Sequence, residues 1–533
     1  MSGTLKALTV VLVVATLTFR LARPIAVLFS AEADFSRRRN VWLILTATAF
    51  LTPSFWLFVV VAVPLLIRGG RKDANPIAFY LLMFNVVPQI PVEIPTIGIQ
   101  SLFPLEIYRL LSLCVLIPAV AHVRQLQNGN QIRRLDAMDW MLLLYIALQL
   151  ILFVPTGPPG HMVLNESATG TLRRAFLNVL DIYVLYFAVS RLCTNRRAIA
   201  EAMAAFCLGC AILASLAVFE SVRHWLLFAN LIQRWSEVPV GGLYLLRAGV
   251  LRAQVTAGHS IALGFLLSIA IGFWLYLQSH VRSALVRIAV LLLLTLGLIA
   301  SWSRGPWLGA IVISLAFATL GPRPVSRLSR SLGVIGLCAA LLGVTQLGER
   351  VASVVPFLGG SVDIESVTYR QRLAAKSWEL IRENPILGDQ HALLKMEDLR
   401  QGEGIIDVVN TLAGVALLYG VIGLLLFLSP SLLGFLRARR FTKSVMQSDP
   451  DLALLGASLG ACIIGLLVMI ATVSFIFGIE KMYYVLAGLA AAYAAQRVTA
   501  EHRWVQKLPP SKMSSDHSGR AGEYKGTFCR ESC

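Results

Sequence analysis

Long, uninterrupted apolar runs constrain the fold of this chain more than any other feature of its sequence. Three examples are Ile288–Ala300, Leu332–Val344 and Leu454–Val473. A helix needs about 20 apolar residues to cross the hydrocarbon core of a bilayer, so such runs form all or most of a membrane span. Continuous runs favour helices over the alternating pattern of a membrane β-barrel. With 57% hydrophobic and only 14% charged residues, the sequence predicts an all-α polytopic membrane protein with about 12–14 transmembrane helices.

The excess of basic residues also fits a membrane protein. The chain contains 47 lysines and arginines against 29 aspartates and glutamates, which gives a formal net charge of +18. Much of this excess lies in short connections such as Arg37–Arg39, Arg191–Arg197 and Arg437–Arg440. Short basic loops are typical of the cytoplasmic side of a membrane. We therefore expect these loops to be cytoplasmic, and we expect no nucleic-acid partner.

Hydropathy and charge divide the chain into four parts. They are N-terminal transmembrane helices (1–246), a core region (247–430), C-terminal transmembrane helices (431–497) and a disordered cytoplasmic tail (498–533). The core region contains an external loop, 348–410, that we expect to be partly helical. Within it the sequence predicts a helix over Asp363–Glu383, because Asn384–Pro385 would end it.

Two segments near the N-terminus contain prolines that affect the prediction. Leu5–Leu28 contains Pro24 and is either one kinked span or a span followed by an interfacial segment. Val41–Ile67 contains Pro53 and is either one long span or two short helices, and the basic residues on both flanks favour two. A further span is expected near residues 77–87.

Polar residues within the predicted spans are expected to have structural roles. Asp181, Glu201 and the Glu480–Lys481 pair lie near helix ends, where they would pair or extend towards the interface. Cys207-x-x-Cys210 has the spacing of a metal or redox site, but it lies inside a predicted span without further ligands. We expect these cysteines to be packing residues.

Arginines on the external side are not explained by the preference of basic residues for the cytoplasm. The set consists of Arg247, Arg252, Arg304, Arg370 and Arg372. A guanidinium group is a planar fork that binds phosphate oxygens through two hydrogen bonds. Several such groups could stabilise a diphosphate leaving group. The alternative is that these arginines bind lipid head groups or pair with Glu379 and Glu383.

A transfer reaction onto a hydroxyl also requires a proton acceptor within hydrogen-bonding distance. The candidates are His259, His391, Glu403 and Asp407. For His391 a solvated loop position is the simpler interpretation. Asp407 precedes a predicted helix, so it could act as a base or could interact with the positive end of the helix dipole.

Several motifs, taken in order, resemble the O-antigen ligase/polymerase superfamily. The motifs are Arg252–Ala253–Gln254 through His259–Ser260 to Gly264, Ser303–Arg304–Gly305-x-Trp307–Leu308–Gly309, Arg372 with Trp378, Glu383–Asn384–Pro385–Ile386–Leu387–Gly388, and Asn410 with Gly420–Val421–Ile422–Gly423–Leu424. The resemblance extends over about a third of the chain, from Arg247 to Leu428. The order of the motifs and their position around the predicted loop make it more specific than any single motif.

The resemblance implies a GT-C-like glycosyltransferase of the bacterial inner membrane, acting at the periplasmic face without a metal or other cofactor. Such enzymes transfer a glycan from an undecaprenyl diphosphate carrier, with a flippase and a chain-length regulator as candidate partners. By position, Arg304 and Arg252 would contact the diphosphate or organise the site. Arg247, His259, Arg370, Arg372 and Asn410 would contribute to substrate binding.

One position departs from the ligase pattern. Ligases carry a histidine immediately before the asparagine of the returning helix, and this chain has Val409 before Asn410. Valine cannot accept a proton, so the sequence favours an exopolysaccharide-type polymerase, whose members often resemble the Asp407–Val408–Val409–Asn410 pattern. Asp407 then becomes a candidate base or a group that orients the acceptor. A ligase that transfers glycan to lipid A-core is the second hypothesis. A transporter of lipid-linked sugars is the third, although the chain lacks a convincing internal repeat.

Overall fold

The computed structural model describes residues 2–96, 102–126, 135–152, 168–236, 244–247, 249–322, 324, 364–400, 406, 408–475 and 478–496. The predicted span near Leu332 and the predicted tail lie outside these residues. The described helices are α1 (Ser2–Phe29), α2 (Glu32–Leu51), α3 (Phe55–Lys72), α4 (Pro76–Met83), α5 (Ile107–Leu111), α6 (Ile117–Leu126), α7 (Ala137–Leu152), α8 (Ala168–Asn178), α9 (Leu185–Leu192), α10 (Arg196–Arg223), α11 (Ala229–Trp235), α12 (Ser260–Leu277), α13 (Ala284–Ala300), α14 (Arg304–Leu320), α15 (Ile364–Glu383), α16 (Thr411–Val445), α17 (Pro450–Ile470) and α18 (Ile479–Ala494).

Short elements connect some of these helices. One π-helical turn, Ser112–Leu116, joins α5 to α6, and another, Val179–Val184, joins α8 to α9. Short 3₁₀ helices cover Val255–Ala257, Gln278–His280 and Leu394–Leu399. Two antiparallel strand pairs are present, β1 (Val92–Glu93) with β2 (Pro104–Leu105) and β3 (Leu246–Arg247) with β4 (Val250–Leu251).

The prediction of an all-α polytopic membrane protein is confirmed. Within the described part of the chain, six helical segments are long and apolar enough to cross a membrane. They are Gly3–Phe29, Gly170–Leu192, Arg196–Arg223, Ser260–His280, Thr411–Val445 and Pro450–Ile470. Four shorter apolar helices accompany them, at Ile107–His122, Ala137–Leu152, Ala284–Ala300 and Arg304–Leu320.

The structure resolves the proline-containing segments near the N-terminus. The first apolar run is one helix, α1, which continues through Pro24. The second run is two helices, as the flanking charges indicated. Helix α2 ends at Leu51, and the Ser54 hydroxyl caps α3 by accepting a hydrogen bond from the backbone N–H of Trp56 at 3.2 Å.

The span predicted near residues 77–87 is wrong in its second half. Helix α4 ends at Met83, and the backbone continues through buried, non-helical residues. Pro88 and Pro91 follow within nine residues, and neither has an N–H group that could extend a helix. The Thr256 hydroxyl donates a hydrogen bond of 2.9 Å to the carbonyl of Asn85. A residue of the predicted core region, 247–430, therefore stabilises this non-helical segment.

Charged residues inside the bundle pair with one another, as expected for Asp181 and Glu201. Asp181 accepts hydrogen bonds from Arg109 at 2.9 Å and from Lys481 at 3.0 Å. Glu201 pairs with Arg38 at 2.8 Å. Pairing offsets the high cost of placing a charge in a medium of low dielectric constant. The Cys207 and Cys210 thiols are buried and face backbone carbonyls of α12, in agreement with a packing role.

Helix α15 begins and ends close to the predicted Asp363–Glu383. It packs through Leu373 and Leu380 against the Leu394–Leu399 turn and against Leu417 of α16. Val408 and Val409 cover the side of this small apolar core. The described part of the predicted external loop is therefore a folded unit attached to α16.

Helix α16 is interrupted at Gly420, whose φ of +64° and ψ of −167° fall in a region that is essentially restricted to glycine. The break affects hydrogen bonds that a regular helix would form across it, among them those from the N–H of Val421 to the carbonyl of Leu417 and from that of Ile422 to that of Leu418. The segment Pro385–Gln390, called the bridging segment below, supplies other partners for these four groups.

The replacement bonds range from 2.8 to 3.3 Å. Val421 donates to the carbonyl of Pro385 at 2.8 Å, and Ile422 donates to that of Ile386 at 3.3 Å. In return, the Leu417 carbonyl accepts the backbone N–H of Asp389 at 2.8 Å, and the side-chain amide of Gln390 donates to the Leu418 carbonyl at 3.0 Å. The Asn384–Gly388 and Gly420–Leu424 motifs are thus two halves of one structural joint.

Replacing Gly420 should test this joint. We expect Gly420→Ala to lower the midpoint of thermal unfolding, because a Cβ there would lie 2.2 Å from the Ile386 carbonyl oxygen and the backbone alone would cost about 1–3 kcal/mol. Gly414→Ala is the matched control in the same helix, since its Cβ would meet only Val408 at an ordinary 3.9 Å. Equal midpoints for the two variants would contradict the assignment.

Candidate functional site

The site is built on the tight turn between α13 and α14. Trp302 is 2% exposed and has a φ of +49°, which is unusual for a residue with a side chain. Its ring packs against Val250 and Trp307, and the indole N–H of Trp307 donates to the Leu298 carbonyl at 2.9 Å. Strained backbone of this kind persists only where the surrounding packing fixes it, and it is concentrated at functional sites.

A β-hairpin from the loop after α11 lies against this turn. Strands β3 and β4 pair with Arg247 opposite Val250. Arg247 Nη1 donates to the Trp302 carbonyl at 2.8 Å, and Arg252 Nη2 donates to the Ser303 hydroxyl at 3.0 Å. The hairpin therefore brings two arginines from one part of the chain to a turn that is immediately followed by a third, Arg304.

Arg304 is the first residue of α14. The Ser303 hydroxyl does not cap this helix; it donates instead to the Ser301 carbonyl at 3.1 Å. Helix α14 also lies very close to the residues that follow α17, since a Cβ on Gly305 would be 2.8 Å from the Thr472 hydroxyl. Arg304 thus combines its own charge with the positive end of a helix dipole, an arrangement that favours an anion.

Arg252 and Arg304 are not neutralised by the described part of the protein. Within the described residues neither forms an ion pair, and the Nε atom of each is buried without a hydrogen-bond partner. Burial, together with the charge of Arg247, lowers the pKa of Arg252 to about 10. A guanidinium with such a pKa is still charged at neutral pH, so an anion binding here would gain strong, poorly screened interactions.

The hairpin is anchored by a carboxylate that was not among the site residues predicted from the sequence. Glu220, at the end of α10, is 1% exposed and accepts three backbone N–H groups: Leu227 at 2.9 Å, Gln254 at 3.0 Å and Val255 at 3.0 Å. Val255 is β-branched yet has a φ of +49°, so the carboxylate holds strained backbone. An acidic residue at the end of a predicted span was the available signal, although Arg223, three residues further on, offered the more obvious partner in the sequence.

His259 lies just before α12 and has a structural role. Its Nδ1 accepts the backbone N–H of Ile261 at 3.1 Å, which caps the helix. A ring that accepts at Nδ1 carries its proton on Nε2 when it is neutral. Burial, and to a smaller extent Arg252, lowers the pKa of His259 to about 4. The imidazole is therefore neutral at pH 7.

Other predicted site residues lie elsewhere. Arg370 and Arg372 are exposed on α15, and no described contact links them to the hairpin. The Asn410 side chain caps α16 by accepting the N–H groups of Leu412 and Ala413 at 3.0 and 3.1 Å. His391 is an exposed loop residue. Asp407 and Glu403 lie outside the described residues. Within the described part, no three histidine, cysteine or carboxylate side chains group as metal ligands.

The position at which ligases carry a histidine has an apolar surrounding here. Val409 packs against the small core formed by α15 and the start of α16. The carbonyl of its neighbour Val408 accepts a hydrogen bond of 2.6 Å from the Ser474 hydroxyl. Thr411 is held in a similar way, through hydrogen bonds of its N–H and hydroxyl to the Val473 carbonyl. The loop after α17 therefore fixes the beginning of α16 and also contacts Gly305 of α14.

A comparison with known protein families finds a match that includes the turn between α13 and α14. Residues 288–428 match the family model described as O-antigen ligase. No curated protein matches the chain at a significant level. The matched region includes Arg304, α15, the bridging segment and the start of α16, whereas the hairpin with Arg247 and Arg252 precedes it. The chain is therefore a multi-pass membrane protein in which residues 288–428 are similar to the O-antigen ligase family.

Proposed function

We propose that this protein is a polysaccharide polymerase of the bacterial inner membrane. It transfers a glycan from undecaprenyl diphosphate to a lipid-linked repeat-unit acceptor at the periplasmic face. The observation that carries the proposal is the grouping of Arg247, Arg252 and Arg304 around one strained turn. Two of these arginines are not neutralised by described carboxylates. Three guanidinium groups suit a diphosphate, which carries two negative charges and several acceptor oxygens.

In this proposal the arginines act on the leaving group. As the glycosidic bond to the diphosphate breaks, negative charge accumulates on the departing oxygen, and preorganised donors stabilise it most in the transition state. The arginines supply the positive charge that this step requires, so we propose a reaction independent of a metal. Asp407 is the proposed base, which would take the proton from the acceptor hydroxyl.

The choice between polymerase and ligase rests on the acceptor side. Val409 offers no proton acceptor, and its packing against the α15 core supports an acceptor arrangement different from the histidine of ligases. A ligase remains the second candidate, because the matched family model is described as O-antigen ligase. Transport of lipid-linked sugars has less support, since Asp181 and Glu201 inside the bundle are engaged in ion pairs.

Replacing Arg304 should separate binding of the anion from folding. We expect Arg304→Ala to reduce polymer formation about 100-fold or more, as does the loss of a donor that stabilises transition-state charge. Arg304→Lys should also be impaired, because an ammonium group cannot form the paired hydrogen bonds of a guanidinium. Polymer is measured in membranes with equal amounts of each variant, and the folded fraction is checked by size-exclusion chromatography.

Arg382→Ala is the matched control for charge. Arg382 is on α15, where its guanidinium stacks over the Trp378 ring at 5.0 Å, and it has no described contact with the hairpin. It should retain polymer formation close to that of the wild type. Normal activity of Arg304→Ala would remove Arg304 from the mechanism.

Deleting the protein distinguishes a polymerase from a ligase. Loss of a polymerase should leave single repeat units on the lipid carrier and no long polymer. Loss of a ligase should instead leave finished polymer on the carrier. The measurement is the length distribution of glycan released from the lipid fraction, and polymer of normal length on its usual acceptor would contradict both assignments.

His259 should make stability depend on pH rather than supply charge at pH 7. Its folded pKa of about 4 is below the unfolded value of about 6.5. The unfolded state therefore binds more protons between these values, and this contribution to stability falls as pH is lowered from about 7 to 4. His259→Asn keeps a cap acceptor without a titrating ring, so its thermal midpoint should fall less over this range. An equal fall in both proteins would refute the assignment.

A further inference from the structure

We propose that the bridging segment, Pro385–Gln390, is inserted into the hydrocarbon of the bilayer beside α16 and that lipid acyl chains cover its apolar side chains. It belongs to a part of the chain that the sequence predicts to be an external loop. Its backbone bonds to α16 on both sides of Gly420 fix its depth relative to that helix. The proposal concerns where this segment lies, and it is independent of the reaction proposed above.

The depth follows from the composition of α16. From Thr411 to Leu436 the helix has no charged residue, and Arg437 comes next. These 26 residues span about 39 Å at a rise of 1.5 Å per residue, compared with a hydrocarbon core of about 30 Å. Gly420 is about four residues, or roughly 6 Å, from the midpoint of this stretch. The backbone that bonds to Val421 and Ile422 is therefore well inside the core.

The side chains of the segment continue a lipid-facing surface. Protein covers only 33% of the apolar window in α16, and Val421 and Ile422 are 47% and 41% exposed. Ile386, whose carbonyl accepts the N–H of Ile422, and its neighbour Leu387 are 64% and 46% exposed. If this side faced water, a contiguous apolar patch would be exposed to solvent. Lipid acyl chains would instead cover the patch and the neighbouring surface of α16.

Irregular backbone is costly in hydrocarbon unless each polar group has a partner. The joint with α16 provides partners for several of these groups in the segment. Pro385 has no N–H group, and the carbonyls of Pro385 and Ile386 accept bonds from α16. The N–H of Gly388 donates to the Asn384 carbonyl at 3.1 Å, and that of Asp389 donates to α16. The backbone pairing that repairs the helix thus also lowers the cost of placing the segment in lipid.

Charged groups lie on the side of the segment towards the beginning of α16. Asp389 contacts α16 at Leu417, nearly one turn closer to Thr411 than Gly420 is. Its carboxylate pairs with Lys395 at 2.8 Å, and Lys395 also contacts Glu383 at 3.6 Å. His391 is exposed beyond them. Paired charges and long side chains that extend outwards are typical of residues close to the head groups.

Helix α15 fits the head-group region on this geometry. It buries Leu373 and Leu380 against the small core and exposes Trp378, with Arg382 stacked over the ring. Tryptophan is enriched where membrane and water meet, because its ring is apolar and its N–H is polar. An α15 at the interface followed by a segment that enters the core gives a continuous path for the chain.

The test uses single added cysteines in the full chain, reconstituted in nanodiscs so that both faces are accessible. Ile386→Cys and Leu387→Cys report on the segment. Glu379→Cys, on the exposed side of α15, is the water-facing control, and Leu425→Cys on α16 is the lipid-facing control. Labelling by a membrane-impermeant maleimide is measured above that of the parent chain, and labelling after denaturation in detergent gives the total thiol content.

We expect the cysteines at 386 and 387 to react about tenfold or more slowly than that at 379, because the reactive thiolate is strongly disfavoured in hydrocarbon. Reaction as fast as at 379 would overturn the proposal. Nitroxide labels are then attached with a membrane-permeant reagent under non-denaturing conditions. They distinguish a side chain that faces lipid from one that is buried in protein. Position 386 should resemble 425, with frequent collisions with oxygen and few with a nickel chelate. Few collisions with either would indicate burial in protein and would also overturn it.

Discussion

The contact between the arginine hairpin and the α13–α14 turn is the interaction on which the candidate site depends. Arg247 and Arg252 each donate a side-chain hydrogen bond to this turn, and the N–H of Ala253 donates to the Ala300 carbonyl. Repulsion between guanidinium groups opposes such a grouping. It is offset by the buried Glu220 carboxylate, which holds the backbone of the same loop through three N–H groups. The positive charge of the site is therefore maintained by the fold.

Much of the fold could be predicted because apolar runs and charges act locally. The end of α15 followed from Asn384–Pro385, and the division of the second run at Pro53 followed from the charges on its flanks. The unwinding after Met83 was missed, because its polar groups are satisfied by a partner as distant in sequence as Thr256. Local pattern contains no information about such a partner.

The candidate site could be predicted only in part for the same reason. Arg252 and Arg304 stood out by residue type, and the structure brings their segments together. Asn410 was assigned to substrate binding, whereas its side-chain oxygen is engaged in capping α16. Glu220 was overlooked, because its three partners are backbone amides, which a sequence does not distinguish. The type of a residue indicates which chemistry its side chain could perform. Whether the side chain has a structural or a chemical role depends on the groups that contact it in the folded protein.

The position of Glu220 has a consequence for how far the matched region can be treated as a module. The matched region begins at residue 288, yet the loop that carries Arg252 and the helix end that anchors it both precede that point. Grafting the matched region onto the N-terminal helices of a relative would separate Arg304 from its companions unless the host supplied an equivalent anchor. The region needed to form the arginine site is therefore larger than the matched region, and chimeras should be joined upstream of α10.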